Sequence, residues 1–130
     1  MKQIIATPNA PAAIGPYSQA VEANGTLYIS GQIPVNPATG KIEKFNIKDQ
    51  TEQIFANIEA ILKAADYGFE NVVKTTVFLA DMKLFAEMNE VYKKYYPTDS
   101  PARSTIAVKA LPLDSLVEIE TIAVNADYFF

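Results

Sequence analysis

The chain has 130 residues, with 15 acidic against 11 basic side chains, a formal net charge of −4, and no Cys, His or Trp. Without Cys there are no disulfides, thiol nucleophiles or thiolate-bound metals, and without His there is no Ser-His-Asp triad and no imidazole ligand. The acidic balance argues against a general binder of nucleic acid or anionic membrane, which needs clustered Lys and Arg.

Apolar residues make up 49% of the chain and charged residues 20%, an ordinary globular balance for one domain spanning residues 1–130. No stretch approaches the roughly 18–20 apolar residues of a membrane span, and Met1–Ile5 is too short an apolar run for a secretory signal. A soluble, cytoplasmic protein is the expectation.

In chain order, Lys2–Ala6 and Tyr17–Glu22 are weak strand candidates, and Gly25–Ser30 is a stronger one that ends at Gly31. Ser30 to Pro37 then reads as a strand end and a turn. Ile47, Thr51, Ile54, Phe55, Ile58, Ile61, Leu62 and Ala65 share one helical face, which predicts a helix over 47–65. Asn46 serves as its N-cap and Gly68 as its stop. Asn71–Ala80 is a β-branched strand. Met82, Phe85, Met88, Tyr92 and Tyr95 form a stripe, predicting a helix over 82–96 that Asp81 caps and Pro97 closes. Ser104–Val108 and Leu116–Val124 complete the strands. The order β-β-β-α-β-α-β-β fits an α+β fold with both helices on one face of a sheet. The other face then lacks cover, so oligomerisation is expected.

With no His or Cys, chemistry falls to Arg, Glu, Ser, Tyr and the backbone. Arg103 sits where a loop enters a strand in Pro101-Ala102-Arg103-Ser104-Thr105. A guanidinium there either grips a carboxylate or phosphate through two parallel hydrogen bonds or serves a surface or structural ion pair. Glu118 and Glu120 alternate within an apolar strand, so they share a sheet face with Ile122 and Val124. They are either edge charges or partly buried acids suited to proton transfer. A simple turn near Pro112 would set Glu118 opposite about Ala107, so Arg103 and Glu118 are not hairpin neighbours. Gly31 would let a ligand approach the backbone, beside Ser30, although both residues also suit a plain turn. Tyr17 is held by Gly15-Pro16, and Asn89 lies on the second helix. No phosphate-binding glycine motif and no calcium-loop spacing is present.

Read together, these segments resemble the Rid family of reactive intermediate deaminases, also called the YjgF family. The resemblance is carried by Asn9 to Ala20 with its Ile14-Gly15-Pro16-Tyr17-Ser18-Gln19 core, and by Tyr28-Ile29-Ser30-Gly31-Gln32-Ile33-Pro34-Val35-Asn36-Pro37. Val73 to Asp81, Pro101-Ala102-Arg103-Ser104-Thr105 and Val117-Glu118-Ile119-Glu120 continue it in family order. It implies a chorismate-mutase-like α+β subunit, a homotrimer with a central barrel, and pockets for small acids between subunits. It also implies cofactor-free hydrolysis of 2-enamine and 2-imino acids, such as 2-aminoacrylate and 2-iminobutyrate, to 2-keto acids and ammonia. On that resemblance Arg103 clamps the substrate carboxylate and Glu118 positions or activates water. Tyr17, Ser30, Gly31, Asn89 and Thr105 then line or support the pocket. Thr105 stands where some members carry Cys, which puts a thiol role in doubt.

Two other readings attach to the same resemblance. One is an endoribonuclease or translation inhibitor, which the negative charge and the missing His pair do not favour. The other is a non-catalytic sensor of small acids or a regulatory partner.

Overall fold

Helix α1 (Ile47–Ala64) forms where the apolar period places it. The Asn46 side chain accepts the Asp49 backbone N–H at 2.8 Å, and Ile54, Phe55, Ile58, Ile61 and Leu62 are buried along one face. Its stop differs from expectation. The chain leaves the helix at Ala65 and turns through Asp66 at φ +64°, while Gly68 instead begins a short 3-10 turn over Phe69–Asn71. Helix α2 (Phe85–Tyr95) starts three residues late. Asp81 caps a 3-10 turn at Met82–Leu84, accepting the Lys83 N–H at 2.8 Å, and the α-helix follows.

The computed structural model describes residues 1–129; Phe130, the last residue of the expected domain, lies outside them. Six strands form the main sheet: β1 (Gln3–Ile5), β2 (Ala20–Ala23), β3 (Thr26–Gln32), β6 (Val72–Leu79), β7 (Ala102–Ala107) and β8 (Val117–Val124). A two-stranded ribbon that sequence reading did not anticipate, β4 (Val35–Asn36) with β5 (Lys41–Ile42), interrupts the path from β3 to α1. The main sheet runs β1-β2-β3-β8-β6-β7, with β6 and β7 parallel and the other pairs antiparallel.

This order corrects the picture of a β7–β8 hairpin. Strand β6 lies between them, because β6-α2-β7 is a parallel crossover unit that needs its helix as the connection. Phe78 therefore pairs with Glu118 on one side and with Ile106 on the other. Strand β8 is central, between β3 and β6, so Glu118 is not an edge charge.

Both helices cover one sheet face, as the α+β reading requires. Leu27, Ile29, Thr75, Val77, Leu79, Val117, Ile119 and Ala123 point into a single core with α1 and α2. Phe55 is its hub, stacking on Tyr95 at 4.3 Å and meeting Tyr92 and Tyr96 edge-on. Truncating such a buried ring costs about 3–5 kcal/mol. Alternate residues face the other way, among them the exposed Ile4, Tyr28 and Ile106. No helix among the described residues is long and apolar enough to cross a membrane.

Candidate active site

Arg103 is the second residue of β7, where the loop enters the strand as expected, and its side chain turns toward α2. Its Nη1 donates to Asn89 Oδ1 at 2.7 Å. The guanidinium carbon sits 4.6 Å from the centre of the Tyr92 ring and 5.4 Å from that of Phe85. Phe85, Asn89 and Tyr92 fall at i, i+4 and i+7, so one stripe of α2 forms the whole cradle. From the sequence, Phe85 and Tyr92 belong to the stripe that predicts this helix. Their helical spacing around Asn89 was the signal that could have linked them to Arg103.

Tyr92 is itself fixed from below. Its hydroxyl shares a 2.7 Å hydrogen bond with the buried Thr75 Oγ1 on β6, the strand residue registered with Arg103. Burial holds the Tyr92 hydroxyl above its usual pKa, against the opposing influence of that hydrogen bond and the Arg103 charge. No carboxylate among the described residues forms an ion pair with Arg103. A partly buried cation without an anionic partner is a costly arrangement unless an anion arrives. Thr105, two residues along the same strand face, buries a hydroxyl that has no hydrogen-bond partner among the described residues.

The second group of candidates gathers at the far end of β3. Between Ile29 and Gln32 the register with β8 slips: Ile29 pairs with Thr121 and Gln32 with Ile119, so three steps on β3 meet two on β8. Ser30 and Gly31 form that bulge, a device that re-aims side chains next to functional sites. The strand thus runs through Gly31 and does not end there. The Glu118 carboxylate rests directly against Gly31, where an added Cβ would stand 2.0 Å from Oε2. Glycine at this position is what lets the Glu118 carboxylate lie against the backbone; a Cβ would displace that side chain.

Glu118 is half-buried, and its pKa is raised first by burial and then by the neighbouring Glu120 charge. Such a carboxyl is better matched to proton transfer near neutral pH than an exposed one. Ser30 is committed locally, its hydroxyl donating to the Ser18 carbonyl at 2.6 Å and its N–H to the Gln19 carbonyl at 3.0 Å.

Tyr17 borders a cavity of about 430 Å³ that Gly31, Gln19, Pro11, Ile14, Ile33, Val35 and Leu113 also line. The buried Gln19, absent from the sequence-based candidates, shapes this wall. Its amide accepts the Thr7 N–H and donates to the Thr7, Ala10 and Pro11 carbonyls. The Tyr17 hydroxyl accepts the Ile14 N–H at 3.3 Å.

The structure therefore brings together Arg103 with Asn89, and Gly31 with Glu118, Ser30 and Tyr17, but it does not join the two groups. Arg103 projects to the helix side of the sheet. Glu118, registered with Phe78 and in phase with the exposed Glu120, projects to the open side. Among the described residues no cluster of three or more acidic side chains could hold a metal ion.

Comparisons with known proteins place the whole chain. The family model described as Endoribonuclease L-PSP matches residues 7–125. A RutC family protein of Pyrococcus horikoshii is 55% identical, over 95% of this chain and 98% of its own length. The 2-iminobutanoate/2-iminopropanoate deaminase of Mus musculus is 48% identical, over 98% of this chain and 95% of its own. The structure of E. coli TdcF with bound serine superposes with a TM-score of 0.91 at 42% identity, covering 95% of this chain and 99% of that one. Matches of this identity and extent make the chain a member of the Rid (YjgF, endoribonuclease L-PSP) family.

Proposed function

We propose that the chain is a 2-imino acid deaminase that hydrolyses small imines and enamines to 2-keto acids and ammonia. The observation that carries this reading is the Arg103 cradle: a guanidinium oriented by Asn89, Tyr92 and Phe85, with no carboxylate paired to it among the described residues. An amino-acid-derived carboxylate matches that guanidinium in charge and geometry. The Mus musculus relative named as a deaminase supports the reaction class, and the serine-bound TdcF structure supports an amino-acid-sized ligand.

A protonated imine is already electrophilic at C2, so hydrolysis needs positioning more than a strong base. Arg103 holds the carboxylate. As water adds to C2, the C=N pair moves to nitrogen and Glu118 accepts the water's proton. That proton passes to the amine nitrogen of the carbinolamine. The C–N bond then breaks as the hydroxyl oxygen forms C=O, the hydroxyl proton returns to Glu118, and from there it ends on the departing ammonia as ammonium. No cofactor enters the balance.

Because Arg103 and Glu118 face opposite sides of the sheet, one chain cannot present both to one ligand. The reading therefore needs Arg103 and Glu118 from two subunits at each pocket; the resemblance to the Rid family implies that the assembly is a homotrimer with the open sheet face packed into a central barrel. Exposed Ile4, Tyr28 and Ile106 on that face are the apolar surface such packing would cover.

The test is keto-acid release when the protein is added to a threonine or serine dehydratase that produces the imine. Faster release with the wild type, lost in Arg103→Ala, is expected. Equal acceleration by Arg103→Ala would overturn the assignment. Mass in solution tests the assembly, since a fully active monomer would remove Glu118 from this mechanism.

A further inference from the structure

We propose that Leu113 is a specificity-determining residue, selecting 2-imino acids by the size of their apolar side chain. The inference rests on the deaminase reading and names a residue that the reaction itself does not require. Leu113 lies in the turn before β8 with φ +56° and ψ 27°, and Asp114 follows at φ +54°. Left-handed backbone suits Gly, Asn and Asp, and Asp114 is such a residue, whereas Leu gains nothing local from it.

Leu113 is 67% exposed, so burial in the protomer does not compensate either. The turn is nevertheless held on both sides. Asp114 and Ser115 donate to the Leu111 and Pro112 carbonyls at 3.1 Å. The Leu116 N–H donates to the buried Gln50 Oε1 at 2.8 Å, and the Leu116 carbonyl accepts from Ala80.

What this placement achieves is a wall. Leu113 lines the same cavity as Gly31, against which the Glu118 carboxylate rests, and shares it with two other exposed apolar side chains, Ile14 and Tyr17. Two of these exposed groups come from the loop at residues 14–17 and the third from the turn before β8, so two distant segments present apolar surface to one cavity, as a binding surface does. The cavity, about 430 Å³, has room for on the order of ten water-sized groups. Neither Arg nor Lys lines it. It therefore suits the uncharged substituent beyond C2, while the carboxylate goes to Arg103. A methyl substituent leaves Leu113 untouched, and a branched one reaches it.

The experiment compares wild type with Leu113→Gly and Leu113→Asn, both compatible with left-handed backbone, in the full chain. Calorimetric titration with pyruvate and with 4-methyl-2-oxopentanoate reads binding without turnover. Relative kcat/KM on the two corresponding imines, generated in situ by an amino-acid oxidase, reads selectivity. Expected are a roughly tenfold loss of affinity and kcat/KM for the branched ligand, a change below about twofold for the small one, and a Tm equal to or above wild type. Equal weakening of both ligands, no change in either, or loss of assembly in place of selectivity would overturn the role of Leu113. Failure of wild type to hydrolyse either imine would instead overturn the deaminase reading.

Discussion

The two halves of the candidate site are built in opposite ways. The Arg103 cradle is supplied by one stripe of α2 and one strand, with Phe85, Asn89 and Tyr92 already in contact with the guanidinium. The Gly31–Glu118 half depends on a register slip between β3 and β8 and on the loop that Gln19 ties down. The first is a guanidinium held by one hydrogen bond and two aromatic rings on the helix side of the sheet. The second is a carboxyl kept partly out of water on the other side of the sheet. Arg103 and Glu118 thus lie on opposite faces of one sheet, and under the proposed function only assembly would bring them to one ligand.

Removing the charge from the first half should produce the largest effect. Arg103→Ala is expected to lower kcat/KM about 10³-fold, the loss of two charge-assisted hydrogen bonds at roughly 2 kcal/mol each. Arg103→Lys should recover only part of it, since a point charge lacks the fork. Steady-state kinetics in the dehydratase-coupled assay measures both.

In the second half, Glu118→Gln should lower kcat roughly 10²-fold with little change in KM, because the proton acceptor is lost while the carboxylate clamp remains. A matching rise in KM would show that the two halves are not separable in function.

Gly31→Ala sharpens the same contrast from the backbone side. The new Cβ meets the Glu118 carboxylate at 2.0 Å, so that side chain must move. About a tenfold fall in kcat is expected, with the fold retained by circular dichroism.

Tyr92 tests whether the cradle positions Arg103 rather than merely packing beside it. Tyr92→Leu should raise KM several-fold through loss of about 1 kcal/mol of cation–π attraction, and Tyr92→Phe, which keeps the ring, should restore most of it. Equal KM values for the two variants would place Tyr92 in the core alone.

The smallest effect concerns pH. The folded-state pKa of Glu118 lies above its unfolded value, owing to burial and then to Glu120. Its favourable contribution is present below the unfolded pKa and is lost as pH rises through the folded one. Tm of wild type should therefore gain on Glu118→Gln at acid pH and fall behind it as pH passes the ordinary glutamate range. Parallel Tm curves from acid to neutral pH would show that the carboxyl is fully solvated in the folded protein.

Much of this was readable from residue order. The 3.6-residue period placed α1 within a residue of its end, and the two-residue alternation placed Glu118 and Glu120 on one sheet face with Ile122 and Val124. Asn46 and Asp81 cap as their side-chain chemistry dictates. The resemblance to the Rid family, resting on ordered segments over the chain, brought Arg103, Glu118, Gly31 and Tyr17 forward together. The ribbon β4–β5 escaped notice because two-residue strands carry no period. The stop of α1 at Asp66 escaped because Gly68 is the more common residue for a left-handed turn.

What residue order alone determined, then, is which side of each element is apolar, because that preference is local and repeats with the geometry of the backbone. Which strands are neighbours, and in what register, only the tertiary structure decided. The insertion of β6 between β7 and β8, the bulge that sets Gly31 against Glu118, and the seating of Arg103 on α2 each join residues far apart in the chain. Such pairings are chosen by the burial of the whole sheet and both helices at once, and no local pattern encodes that sum.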